Sequence, residues 1–223
     1  MEQQLPLGIN LRDDATFDNY FTASNEQVVH SLLAQQEPYV FLFGENGCGK
    51  SHLLQAACHQ AGKDNLPVVY LPLSDEGLMP AMLEGLENMS LLALDDIDCV
   101  IGNEEWESAL FNLYNNAREK GVTMLVSSKE PLASLPIKLA DLRSRLSWGP
   151  IFQLEVLSDE EKTQALQQRA KNRGLELADG VVNYLLKRSP RDMNSLFTLF
   201  EKLDKASMVE KRRLTIPFIK NYL

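Results

Sequence analysis

A chain of 223 residues with 44% hydrophobic side chains can bury one sizeable domain and a small second one, which excludes a disordered or fibrous protein. Its 22 Lys and Arg against 31 Asp and Glu leave a formal charge of −9, arguing against a broad surface for nucleic-acid phosphates while leaving room for a local basic patch. No secretory leader follows Met1 and no apolar run approaches a membrane span, so a cytoplasmic location is expected; Cys48, Cys58 and Cys99 lack metal-ligand spacing and read as buried or inert thiols in a reducing compartment.

Residues 1–11 show neither helical nor strand period and read as a flexible tail. The apolar side chains of Gln4-Leu5-Pro6-Leu7, Ile9 and Leu11 then have no core of their own to enter. Two readings stay open, an extended peptide docking in a partner's pocket and a tail packed on its own domain. Thr16 to Phe21 is an aromatic turn, and Ser24-Asn25-Glu26-Gln27 predicts an N-cap opening a helix through Gln35, a segment suited to cover a nucleotide base.

Tyr39 to Phe43 predicts an apolar strand running straight into Gly44-Glu45-Asn46-Gly47-Cys48-Gly49-Lys50-Ser51, a complete G-x-x-x-x-G-K-S phosphate loop. Side chains at Gly44, Gly47 and Gly49 would obstruct the backbone N–H groups that must wrap phosphates. Lys50 supplies charge, and Ser51 can place its hydroxyl on Mg²⁺. The helix that begins with His52 and continues through Cys58 turns its positive end to the anion. A nucleoside di- or triphosphate is the expected ligand.

Further strands are predicted at Pro67 to Leu73, Ser90 to Asp96, Val122 to Ser128 and Ile151 to Leu154. Helices are predicted at Leu78 to Leu86, broken near Pro80, and at Glu104 to Lys120, with Trp106, Ala109, Leu110, Leu113, Tyr114 and Ala117 as a core stripe. Strands alternating with helices imply a parallel sheet with right-handed crossovers. The strand ending in Asp95-Asp96 reads as buried on both faces. Beside a phosphate loop, Asp95 is a candidate Mg²⁺ ligand and Asp96 a residue that orients water or structures the site. Ser128 ends its strand in a position to meet phosphate or water.

Residues 131–142 read as irregular, and Arg143 and Arg145 at i and i+2 suggest one solvated cation and one pointing at an anion. From Ser158 only helices are predicted: a capping box at Ser158 to Glu161, then 162–173, 178–188, 191–207 and a terminal one containing Pro217. Arg191 in a first turn opposes the helix dipole, which fits either a ligand-facing role or a surface pair with Asp192 or Glu201.

From about Leu11 to the end, the chain resembles AAA+ ATPases of the DnaA branch. Thr16-Phe17-Asp18-Asn19-Tyr20 resembles the opening motif of replication initiators, Gly49 to Leu54 their Walker A helix and Leu94-Asp95-Asp96-Ile97 their Walker B. Arg143 to Gly149 is similar to the segment carrying the arginine finger, which falls on Arg145, and Pro190-Arg191-Asp192 falls at the sensor 2 arginine. The resemblance implies an α/β fold: an AAA+ P-loop NTPase core with a parallel sheet flanked by helices (12–156), preceded by a tail (1–11) and followed by a small all-helical lid (157–223).

No duplex-DNA-reading domain is expected, and Gln4-Leu5-Pro6-Leu7 resembles the Q-L-x-L core of peptides that bind the sliding clamp, the β subunit of DNA polymerase III. Placing the full hexapeptide Q-L-x-L-P-L here would put Glu2 at its first position. The regulatory members of the branch imply ADP or ATP with Mg²⁺ as cofactors, DnaA and the clamp as partners, and possible homo-oligomers. Arg145 is then the group acting in trans on ATP held by DnaA. Gly44, Asn46, Gly47, Cys48, Gly49, Lys50, Ser51, His52, Asp95, Ser128 and Arg191 are the implied nucleotide-binding positions. Ser128 stands where DnaA has an Asp, and Asp96 is shorter than the Glu common in AAA+ proteins, which implies weak or absent intrinsic hydrolysis. The rival reading is an adaptor or loader of the same branch, switched by nucleotide and binding single-stranded DNA or a helicase through Lys129, Lys138, Arg143 and Arg145.

Overall fold

The structure, a computed structural model, describes residues 11–190, 192–210 and 212–222. The tail peptide Gln4-Leu5-Pro6-Leu7 and Arg191 therefore lie outside the described residues. The chain divides into two compact units, one running to Glu45 and from Gly49 to Glu155, the other holding Asn46–Cys48 and the chain from Val156 onward.

The first unit is built on five parallel strands, β1 Tyr39–Phe43, β2 Val68–Pro72, β3 Leu91–Asp95, β4 Thr123–Ser128 and β5 Ile151–Gln153, in the order β2-β3-β4-β1-β5. Parallel neighbours need crossovers, supplied here by α2 Lys50–Lys63 and α3 Glu104–Glu119 among others; α1 Glu26–Ala34 precedes the sheet. β1, β3 and β4 are buried nearly throughout, as near-continuous apolar runs in a covered sheet must be. The parallel sheet, its flanking helices and the C-terminal helical lid match the expected AAA+ architecture.

Two stretches differ from expectation. Residues 78–86 form no α-helix but two 3₁₀ turns, Pro80–Leu83 and Leu86–Asn88, because Pro80 opens the first and Gly85, at φ 83°, separates them in a left-handed conformation. Residues 131–142 are not irregular to their end: a 3₁₀ turn at Leu132–Ser134 is followed by α4 Ala140–Leu146, whose Leu142 and Leu146 are buried. On α3, Leu110, Leu113, Tyr114 and Ala117 are buried as expected, whereas Trp106 and Ala109 are only half-buried.

Glu107 is also buried there, 1% exposed. Its carboxylate accepts from the N–H groups of Gly102, Lys138 and Leu139, tying the start of α3 to the segment that leads into α4. Burial by itself would raise its pKa, but the bonds from Leu139, Gly102 and Lys138 outweigh burial and hold it below the ordinary value.

The second unit contains α5 Asp159–Asn172, α6 Asp179–Arg188, α7 Met193–Glu210 and α8 Ile216–Ile219. The capping box is present: Ser158 Oγ accepts from Glu161 N, and Glu161 returns the bond to Ser158 N. Leu166, Val182, Leu185, Phe200, Leu203, Phe218 and Ile219 form its core. Arg169 pairs with Glu201 at 2.7 Å and Arg173 with Asp204 at 2.8 Å, fixing α5 against α7. Glu201 thus already serves two arginines, Arg169 and Arg173.

Candidate nucleotide site and arginine face

The phosphate loop follows β1 directly. Gly47 and Gly49 have φ of 84° and 100°, the left-handed region that side chains resist, and Gly49 is the N-cap of α2. A methyl at Gly49 would stand 2.6 Å from Cε2 of Tyr20, so the aromatic turn itself requires glycine there. Lys50 is buried and donates to the carbonyls of Gly44 at 2.7 Å and Glu45 at 3.3 Å. A buried ammonium held by carbonyls beside a helix N-terminus is a fitting cradle for phosphate, which would offer it full charges. Gly44 and Cys48 are buried, while Asn46 and Gly47 are exposed.

The segment before α1 is fastened along α2. Gln55 accepts from Arg12 N at 2.9 Å; His59 Nε2 lies 2.8 Å from Arg12 O and His52 Nε2 2.8 Å from Thr16 O. A carbonyl only accepts, so each of these ring nitrogens carries the proton. His52, Gln55 and His59 recur at i, i+3 and i+7, one face of the helix. Tyr20 packs its ring 5.4 Å from that of His52, and its hydroxyl accepts from Asn25, whose side chain also bonds Glu155 in both directions. The sequence-predicted His52 is thereby a fastener of the opening turn.

At the end of β3, Asp95 is 1% exposed and receives hydroxyls on both oxygens, Tyr70 on Oδ2 at 2.6 Å and Ser127 on Oδ1. Burial first, then the charge and hydrogen bond of Asp95, raise the Tyr70 pKa far above its ordinary value, so this phenol stays a neutral donor. Asp95 and Ser51, the expected Mg²⁺ residues, stand at the end of β3 and in the first turn of α2. Each carboxylate oxygen keeps lone pairs beyond the bonds described, and hard oxygen donors suit Mg²⁺.

Asp96 adopts φ 56°, donates its N–H to Ser127 Oγ at 2.9 Å, and accepts from Ser74 at 3.3 Å. Burial and the neighbouring Asp95 charge raise its pKa. Ser128, by strand alternation, faces away from Ser127, and its hydroxyl accepts from Glu130 N. Ser127 and Tyr70 are the contacts that the sequence did not single out. Cys48 and Cys58 are buried, the Cys58 thiol pushed up to about 12 by burial, whereas Cys99 is exposed. Among the described residues no cluster of three His, Cys, Asp or Glu side chains is placed to hold a metal, and no helix is long and apolar enough to cross a membrane.

The two arginines of α4 are used differently. Arg143 donates to the carbonyls of Leu135 and Ile137, at 3.2 and 3.0 Å, and so shapes the loop before its own helix rather than meeting an external anion. Arg145 is half-buried with its guanidinium carbon 4.7 Å from the centre of the Trp148 ring, and Arg118 lies 3.9 Å from the same centre. Trp148 is 51% exposed and lines a hollow with Pro38, Tyr39 and Met124, residues at the start of β1 and β4. The phosphate loop lies past the other end of β1, about 17 Å away at strand rise.

A parallel sheet whose strand β1 feeds a phosphate loop, with two carboxylates ending β3 and β4 inserted between those strands, defines a P-loop nucleotide-binding protein. Residues 11–153 match the family model of the bacterial DnaA ATPase domain, and residues 159–223 match that of the Hda lid domain. The chain belongs to the DnaA-related AAA+ ATPases associated with replication, and carries an Hda-type lid. It is similar to an uncharacterized protein of Haemophilus influenzae, with 42% identity across 100% of this chain and 99% of that one.

Among solved structures, domain III of Thermotoga maritima DnaA matches with TM-score 0.75 and 18% identity over 95% of this chain and 96% of that one. AMPPCP-bound DnaA from Aquifex aeolicus matches with TM-score 0.72 and 23% identity over 88% of this chain and 66% of that one. Identities this low establish the fold alone.

Proposed function

We propose that this protein is an Hda-type regulator of replication initiation. It binds an adenine nucleotide, ADP as working ligand, and presents Arg145 in trans to ATP held by DnaA, stimulating its hydrolysis and so preventing re-initiation. The observation that carries the reading is the position of Arg145. It stands near the start of β1 while the chain's own phosphate loop follows the end of that strand, so the nucleotide it can serve belongs to another subunit.

The residues support a division of labour. Gly44 to Ser51 wrap the phosphates, Lys50 turning its ammonium from loop carbonyls to phosphate oxygens. Ser51 and Asp95 would hold Mg²⁺, which would supply charge neutralisation at the phosphates. Asp96, short and held by Ser74 and Ser127, is poorly placed to activate water, which favours a bound-nucleotide switch over self-sufficient turnover. An arginine supplied in trans is worth roughly 10³–10⁵ in rate in GTPases.

The adaptor reading loses support from the same geometry. Of the cations it would use, Arg143 is spent on two carbonyls, Arg145 lies over an indole, and Lys138 stands 3.5 Å from Glu104. Residues 4–7 fit the clamp-tethering part of the proposal by motif. The test is single-turnover decay of ATP preloaded on DnaA, with ADP and clamp loaded on DNA, comparing the full chain with one lacking residues 1–8. Stimulation that disappears with the tail is expected. Equal rates with and without the protein would overturn the proposal.

A further inference from the structure

Tyr70 lies in the middle of β2, opposite Ala93 in the parallel register, and Asp95 stands two residues further along β3. Strand alternation places Ala93 and Asp95 on one face, and paired residues of parallel neighbours share a face. The small Ala93 leaves the space across which the Tyr70 ring extends toward the strand end, where its hydroxyl meets Asp95 Oδ2. A phenol has one proton to donate and two lone pairs to receive. Donating to Asp95, this hydroxyl ties β2 to the end of β3.

We infer that Tyr70 is a positioning residue for the divalent cation: its hydroxyl fixes the Asp95 carboxylate and so sets how strongly Mg²⁺ adds to nucleotide affinity. This rests on the nucleotide-binding reading above and is independent of the trans role of Arg145. Partners that orient metal ligands without touching the metal typically matter by 10–100-fold in metal affinity. The ring is a separate contribution. It fills space that phenylalanine fills as well, so Tyr70→Phe removes the hydroxyl and little else. Ser127→Ala removes the other hydroxyl on the same carboxylate, from β4, and provides a second variant of unrelated packing.

The experiment measures the affinity of a fluorescent ADP for wild type, Tyr70→Phe and Ser127→Ala, first in excess EDTA and then along a Mg²⁺ titration. In EDTA the three proteins are expected to bind within about threefold of one another. The Mg²⁺ concentration at half-maximal enhancement is expected to rise about tenfold or more in Tyr70→Phe, and in the same direction in Ser127→Ala. A Tyr70→Phe midpoint within twofold of wild type would overturn the inference. Equal weakening with and without metal would overturn it too, since Tyr70 would then only support the fold. Wild-type affinity that ignores Mg²⁺ has the same meaning. Wild type that binds no ADP in either buffer is a different result, which removes the nucleotide reading and this inference with it.

Discussion

The guanidinium of Arg145 lies against an indole three residues along the chain, 4.7 Å from the Trp148 ring centre, in company with Arg118 at 3.9 Å. The stack restrains a side chain that otherwise loses roughly 2 kcal/mol of rotamer freedom when it engages a target. Arg145→Ala is expected to lower stimulated hydrolysis of DnaA-bound ATP by roughly 10³ or more, with ADP affinity unchanged. Trp148→Ala should cost only about two- to fivefold, the rate equivalent of 0.5–1 kcal/mol of an exposed cation–π contact, and Trp148→Phe less. Stimulation by Arg145→Ala at the wild-type rate would remove Arg145 from the mechanism.

Gly49 is constrained twice, by φ of 100° and by the Tyr20 ring that a methyl would meet at 2.6 Å. Gly49→Ala is expected to destabilise the protein by about 1–3 kcal/mol and to abolish measurable ADP binding. Tyr20→Ala in the same chain relieves the collision but leaves the backbone strain, so stability should return only in part. Full recovery in denaturant melts would show that φ is not the constraint here.

Much of this was legible from residue pattern alone, and the limits have physical causes. β1, β3 and β4 announced themselves as short apolar runs closed by Gly44, Asp96 and Ser128, and the lid opened at a capping box. Residues 78–86 misled because an apolar stretch with one Pro resembles a kinked helix, while the left-handed Gly85 splits it into two turns. Tyr70 within Val68–Pro72 reads as ordinary core, since the partner that makes it special lies 25 residues away on another strand. Glu107 and Gln55 were hidden for the opposite reason. Polar residues on a helix read as its wet face, and only the loops packed over them reveal otherwise.

The three backbone N–H bonds give Glu107 a pH signature. Its pKa is lowered on folding, so its contribution is fully present above the ordinary value of 4.5 and is lost as pH falls through the lower, folded value. Glu107→Gln is expected to cost about 1–3 kcal/mol at pH 7, where a neutral amide replaces a carboxylate accepting from three backbone N–H groups. The gap between variant and wild type should narrow as the buffer is taken below pH 4.5. Urea melts at pH 7 and pH 3.5 decide this, and a constant gap would sink it.

The hydrogen bonds that Arg12 N donates to Gln55 and Arg12 O accepts from His59 set the length of a leash. A peptide held at Leu7 has only four residues between it and Arg12, which is anchored to the phosphate-loop helix, so the five Cα–Cα steps reach at most about 18 Å of extended chain. If residues 4–7 seat in a clamp, the body of the protein hovers within that radius, and tethers so short keep local concentrations in the millimolar range. Tension on the leash would then fall on α2, whose first turn carries Lys50 and Ser51.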